Sequence, residues 1–245
     1  MSDDHGRAGG HDDDRRQVLR ESLAALRERI DAACAAAGRP AGDAALIAVT
    51  KTFPLSDVVL LSELGITDVG ENRDQEAAPK AAEAAALGLP LTWHFVGQLQ
   101  VNKAASVASY ADVVHSADRP RLITALGRRA VAAGRELTCL VQVSLDSSAG
   151  RGGAQPGAVA GLADAIAAEP GLALGGVMAV APLGEPARPA FARLREVSEK
   201  VRSAHPAAVA ISAGMSGDLE DAIAEGATLV RIGTALLGGR QAFVR

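Results

Sequence analysis

Four lysines stand among the 25 Lys and Arg residues: Lys51, Lys80, Lys103 and Lys200. Where a generic positive charge is wanted, this chain uses arginine. Lys51 closes the apolar run Ala45-Leu46-Ile47-Ala48-Val49-Thr50, and a lysine at the end of a strand-like run asks for a reason. An amine loses its proton when desolvated and then attacks a carbonyl carbon to form a Schiff base, which a guanidinium cannot do. The competing reading is a strand-end lysine reaching into solvent.

Two further segments bear on that choice. Ser212-Ala213-Gly214-Met215-Ser216 and Arg231-Ile232-Gly233-Thr234 each follow an apolar run and place glycine beside a hydroxyl residue. Backbone N–H groups at such a strand-to-helix turn favour an anion, and glycine lets the backbone approach it. The competing reading is ordinary helix capping. A Schiff-base lysine facing a phosphate cup describes an aldehyde that carries a phosphate, and pyridoxal 5′-phosphate (PLP) fits. Arg231 then falls near the pyridine ring. A guanidinium there disfavours protonation of the ring nitrogen, which makes the ring a weaker electron sink.

These residues need a scaffold that brings them together. Eight strand-like runs occur: Leu46–Thr50, Asp68–Gly70, Leu91–Val96, Val113–His115, Thr138–Leu145, Leu174–Val180, Ala208–Ser212 and Leu229–Ile232. Between them lie Ala-rich amphipathic segments, among them Arg73–Ala86, Leu99–Ser109, Pro120–Ala133, Pro156–Ala168, Ala190–Ser203 and Gly217–Glu225. Leu19, Leu23, Leu26 and Ile30 predict an opening helix from Val18 to Gly38-Arg39-Pro40. Eight strands alternating with helices in 245 residues predict an α/β fold, a (β/α)8 TIM barrel, whose chemistry sits in the loops after the strands. Residues 18–245 read as one barrel domain, and the polar, Asp-rich residues 1–17 as a disordered leader. The Gly-rich loop Asp146–Pro156 reads as a mobile lip.

Other polar residues fall near strand ends. His94, between Trp93 and Phe95, is either a buried hydrogen-bonded histidine or a ligand contact. His115 with Asp118 suggests an acid–base pair, but Asp118 is more simply a helix cap. Glu71, Asn72, Gln142, Ser144 and Met178 lie along or after strands. Lys103 reads as a surface residue and Trp93 as barrel-to-helix packing.

The net charge of −4 gives no support for a nucleic-acid surface. Cys34 and Cys139 form no disulfide framework or zinc spacing, and no metal site is expected. With no membrane-spanning stretch or apolar signal core, a cytoplasmic protein is expected.

Ala48-Val49-Thr50-Lys51-Thr52-Phe53-Pro54, Gly70-Glu71-Asn72, Trp93 through Lys103, Gly214-Met215-Ser216 and Val230 through Thr234 resemble the pyridoxal phosphate homeostasis proteins (the YggS/PROSC family). The resemblance runs from about Val18 to Gly239. It implies a barrel of the alanine-racemase N-terminal type (PLP fold type III) with PLP on Lys51. It further implies Asn72 near the ring, Ser212, Gly214, Gly233 and Thr234 around the phosphate with Met215 in the same motif, and Arg231 at the pyridine nitrogen. Ala213 and Gly217 replace the family's usual Met and Asp, changes that backbone contacts should survive. Arg151-Gly152-Gly153 stands where a Lys-Ser-Gly is common. The implied role is holding PLP for vitamin B6 homeostasis without strong catalysis. Free amino acids and PLP-dependent apo-enzymes are the expected partners, and a monomer is the expected state. The alternative is a PLP-dependent amino-acid racemase. That reaction wants a second base on the opposite face; the only tyrosine is Tyr110, and eleven residues follow Thr234, too few for a further domain to supply one.

Overall fold

The computed structural model describes residues 5–146 and 152–239. Eight parallel strands close on themselves in sequence order, from β1 through β8 and back to β1. They are β1 (Ala45–Val49), β2 (Asp68–Glu71), β3 (Thr92–Phe95), β4 (Val113–Ala117), β5 (Leu137–Gln142), β6 (Leu172–Met178), β7 (Ala210–Ser212) and β8 (Leu229–Ile232). The outer helices are α1 (His5–Ala36), α2 (Leu55–Glu63), α3 (Asp74–Ala86), α4 (Ala104–Tyr110), α5 (Pro120–Ala132), α6 (Val159–Ala168), α7 (Ala187–Ala204), α8 (Leu219–Ala224) and the short α9 (Thr234–Leu237). The expected TIM barrel is therefore the fold, and no strand edge is left open.

Side chains alternate across each strand. On the helix side of β1 and β2, Ala48 and Val69 join Leu19, Leu23, Leu26 and Ile30 of α1 in one apolar cluster that also takes in Trp93 and Cys34. A larger cluster joins β4, β5 and β6 to α5, α6 and α7, with Cys139, Leu126, Ile166, Phe191 and Leu194 at its centre. Both cysteines are buried among apolar side chains and act as small apolar residues; burial pushes the Cys139 thiol up to about 12. Trp93 is barrel-to-helix packing as expected.

The barrel interior is different. A Cβ on Gly70 would meet Ile47 and Val49 side chains at 3.0 and 3.4 Å, which places all three positions inside. Ile47 pairs in register with Arg231, and Gly70 with His94. Arg231, His94, His115 and Ser212 are all buried. Much of the space inside the strands is thus filled by hydrogen-bonding side chains.

One expectation differs from the structure. The opening helix begins at His5 rather than Val18, so residues 5–17 are helical where a disordered leader was expected. Arg15 anchors that extension: it makes a two-pronged pair with the Asp57 carboxylate at 3.0 and 2.7 Å and donates to the Leu237 carbonyl at 3.1 Å. Composition registered the polarity of this segment and not its reach to α2 and α9. Of the expected lip, residues 147–151 lie outside the described residues. Its return is tied to β5: Ala154 N–H donates to the Gln142 carbonyl at 2.7 Å and Ser144 N–H to the Ala154 carbonyl at 2.8 Å. Among the described residues no helix is long and apolar enough to cross a membrane.

Candidate functional site

The loops after the strands all open on one end of the barrel, as parallel closure requires. Thr50 continues the ladder past β1 by donating its N–H to the Gly70 carbonyl at 2.9 Å. Lys51, two residues beyond the inward Val49, stands exposed at the rim. The chain then turns sharply. Thr52 has φ of 68°, the one non-glycine residue with positive φ among those described. For a β-branched residue this conformation costs on the order of 1–3 kcal/mol. Its N–H is held by Glu76 Oε2 at 3.1 Å.

The wall behind Lys51 is polar and closed. Glu71, fully buried, accepts from Thr50 Oγ1 at 2.7 Å and from Lys80 Nζ at 2.5 Å. Lys80 also donates to the Thr50 carbonyl at 3.0 Å. Glu71 and Lys80 thereby clamp Thr50, the residue that precedes Lys51. Asn72 follows β2 at the same end, half-buried. A Cβ on Gly97 would lie 2.2 Å from the Asn72 carbonyl oxygen, so only glycine lets the loop after β3 press against Asn72.

Across the mouth, the loops after β7 and β8 form one feature. Ala235 N–H donates to Ser216 Oγ at 3.3 Å. Arg231 N–H donates to the Gly214 carbonyl at 3.0 Å. Gly214 has φ of 90°, and a Cβ there would strike that of Ala222 at 2.7 Å. A Cβ on Gly233 would sit 3.3 Å from the Val49 carbonyl, which brings this feature to the foot of Lys51. Met215 is partly exposed and gives its N–H to Asp218 Oδ1 at 2.6 Å. Thr234 opens α9. Gly233 and Thr234 therefore stand beside the end of β1, two residues before Lys51, and Asn72, Gly214 and Met215 lie at the same end of the barrel.

Two expected members have their side chains engaged elsewhere. Ser212 is fully buried; its oxygen accepts from Arg231 Nη1 at 2.5 Å and it bonds His115 Nδ1 at 2.9 Å. Arg231 also donates Nη2–H to the Ala179 carbonyl at 2.9 Å. Desolvation lowers the Arg231 guanidinium to about 10, against an opposing pull from Asp218, so it stays cationic at neutral pH. His94 is the buried, hydrogen-bonded histidine of the two readings, with Asp68 and His115 as partners. Asp118 pairs with Arg119, and neither the acid–base pair with His115 nor a capping bond to α5 is made. Lys103 reaches Asp74 at 3.5 Å.

A cleft of about 760 Å³ opens beside the mouth, lined in part by Gln142, Ser144, Val180, Leu183 and Met215. It lies toward the β5–β7 side and does not include Lys51 or Arg231. Among the described residues no cluster of His, Cys, Asp and Glu could hold a metal.

A family model described as "Alanine racemase, N-terminal domain" matches residues 22–241. The "Pyridoxal phosphate homeostasis protein" of Mycobacterium tuberculosis is 46% identical over 245 residues, covering 93% of this chain and 95% of the relative. The chain belongs to the pyridoxal phosphate homeostasis protein family. The Escherichia coli family member is 37% identical, over 91% of this chain and 97% of its own. Among solved structures, PipY of Synechococcus elongatus with PLP bound superposes with a TM-score of 0.78 at 33% identity, covering 90% of this chain and all of PipY. Alanine racemase of Corynebacterium glutamicum shares the fold, with a TM-score of 0.65 at 15% identity over 91% of this chain and 63% of the racemase.

Sequence reasoning missed the Lys80–Glu71–Thr50 clamp and the Thr52 turn. Lys80 lies nine residues after Glu71, on the next helix, and the scarcity of lysine that singled out Lys51 applied equally to Lys80.

Proposed function

We propose that this chain binds pyridoxal 5′-phosphate and acts in its intracellular homeostasis, holding it as a Schiff base on Lys51 without strong catalysis. The observation that carries the reading is the meeting of the β7 and β8 loops, through Ser216 and Ala235, against the end of β1 where Lys51 emerges. An amine, a pair of glycine-bearing turns and a buried guanidinium then stand at one end of the barrel. The donor set fits an aldehyde with a phosphate. Lys51 supplies the nucleophile. The backbone of Gly214, Gly233 and Thr234 supplies neutral donors for the phosphate, Met215 stands in the same turn with its own N–H held by Asp218, and Asn72 lies on the ring side. The Ser212 hydroxyl, taken up by Arg231 and His115, serves this site by holding the guanidinium.

When bound, the cofactor supplies a reactive carbonyl and an electron-withdrawing ring. Arg231 weakens the second of these by keeping the ring nitrogen unprotonated. Free amino acids and apo-enzymes are the proposed partners, and the cytoplasm the proposed location.

The racemase alternative requires a second base opposite Lys51. Tyr110 ends α4 on the helix side, and burial, with Asp74 and Glu71 nearby, raises its hydroxyl pKa far above the ordinary value. The test is PLP titration followed by visible absorption, then incubation with L- and D-alanine in deuterated water. A saturable band, absent in Lys51→Ala, without α-deuterium incorporation supports the reading. Catalytic, Lys51-dependent α-deuteration would replace it with the racemase.

A further inference from the structure

A line of hydrogen bonds crosses the barrel interior. Asp68 Oδ1 lies 2.9 Å from His94 Nε2, His94 Nδ1 lies 2.9 Å from His115 Nε2, His115 Nδ1 lies 2.9 Å from Ser212 Oγ, and Ser212 Oγ lies 2.5 Å from Arg231 Nη1. The members come from β2, β3, β4, β7 and β8. Asp68 opens β2 at the N-terminal face and keeps a 30% exposed side chain, whereas the other four are 5% exposed or less.

The two ends fix the direction of every bond between them. Arginine can only donate, so Ser212 Oγ accepts from Arg231. An ionised carboxylate can only accept, and hydrogen bonding from His94 holds the Asp68 carboxyl below its ordinary range. His94 therefore donates Nε2–H to Asp68. In the singly protonated form of His94, Nδ1 is an acceptor, and His115 then donates Nε2–H to it. His115 is kept neutral chiefly by burial, to which the Arg231 charge adds, and its pKa lies well below the ordinary value. Its Nδ1 then accepts the single Ser212 hydrogen. All four bonds point from Arg231 toward Asp68, with both histidines in the Nε2–H tautomer.

We propose that Asp68, His94 and His115 are positioning residues that set the orientation of the Arg231 guanidinium through the Ser212 hydroxyl. A carboxylate at the far face of the barrel thereby decides how Arg231 is presented at the mouth. An acceptor-only group at one end and a donor-only group at the other leave one low-energy pattern. Replacing Asp68 with a group that can also donate removes the anchor, and both histidines can then reverse. In the reversed pattern His115 donates Nδ1–H to Ser212, whose oxygen then accepts from both His115 and Arg231. The Ser212 hydrogen must turn elsewhere. The other charged groups facing this line are Asp218, which acts on Arg231 from the β7 loop, and Asp112, which accepts from Trp93 N–H and pairs with Arg135.

The proposal concerns Arg231 as the PLP-ring neighbour and so rests on the reading above, but its primary test needs no ligand. Histidine-selective ¹⁵N NMR of the PLP-free chain at pH 7.5, assigned with His94→Gln and His115→Gln, should show both rings neutral with Nδ1 unprotonated. Asp68→Asn should give mixed tautomers in both rings, whereas Asp112→Asn, at the same face but outside the line, should leave them as in the parent. Asp68→Glu should restore the parent pattern. With PLP added, Asp68→Asn should shift the pH profile of the ligand's visible band and Asp112→Asn should not. An Nδ1–H tautomer or a doubly protonated ring in the parent overturns the proposal. So does an Asp68→Asn chain with unchanged tautomers. Failure of PLP to bind with the tautomers as stated overturns the ligand reading and the positioning role while leaving the bond directions intact.

Discussion

His115 makes the stability of this chain depend on mild acid, by an amount that follows from its position. The ring is fully buried, and burial and the Arg231 charge oppose its protonation, which holds its folded-state pKa well below 6.5. In the unfolded chain the ring titrates near the ordinary value of about 6.5. The unfolded state therefore takes up a proton that the folded state refuses. The stability contributed by the neutral ring is fully present above pH 6.5 and is lost as pH falls from there toward the folded value. The slope is about 1.36 kcal/mol per pH unit for one proton. One unit below 6.5, at pH 5.5, the loss is about 1.4 kcal/mol, against less than roughly 0.1 kcal/mol at pH 7.5. Asp68 stays ionised across this window, and the remaining histidines are common to parent and variant. Urea unfolding at pH 7.5 and 5.5 should thus show the parent losing about 1.4 kcal/mol more than His115→Asn. Equal losses in the two chains would refute a buried neutral His115.

The Lys80–Glu71 pair gives a second prediction. Lys80→Met leaves a buried carboxylate, one of whose oxygens already lacks a partner, and should cost about 3 kcal/mol or more. Adding Glu71→Leu should recover most of that loss in chemical denaturation; no recovery would mean the pair is not the source. For the phosphate cup, pyridoxal without its phosphate should bind far more weakly than PLP in an absorption titration. Comparable affinities would remove the β7 and β8 loops from the site.

The barrel was legible because each strand is a short apolar run bounded by an amphipathic helix, a local pattern that survives in one dimension. The common placement of Lys51, Asn72 and the Gly214 and Gly233 turns was legible for a related reason: in this fold the loops after strands share one end. Their side-chain partners were not. The place of Ser212 in its loop was visible, but the bonds of its hydroxyl to Arg231 and to His115, 97 residues earlier, were not. His94 and His115 carried no periodic signal of mutual contact, since interior side chains on adjacent strands meet only after closure. Asp68 looked like an ordinary strand start. The helical reach of residues 5–17 was hidden because the ion pair of Arg15 with Asp57 spans 42 residues.

The central claim is that Lys51 carries the cofactor. Borohydride reduction of the PLP-loaded chain, followed by proteolysis and mass mapping, tests it most directly. The account predicts one pyridoxyl adduct on the peptide that contains Lys51, lost in Lys51→Ala while the chain stays folded. An adduct mainly on Lys80 or Lys103 in the parent chain would contradict it.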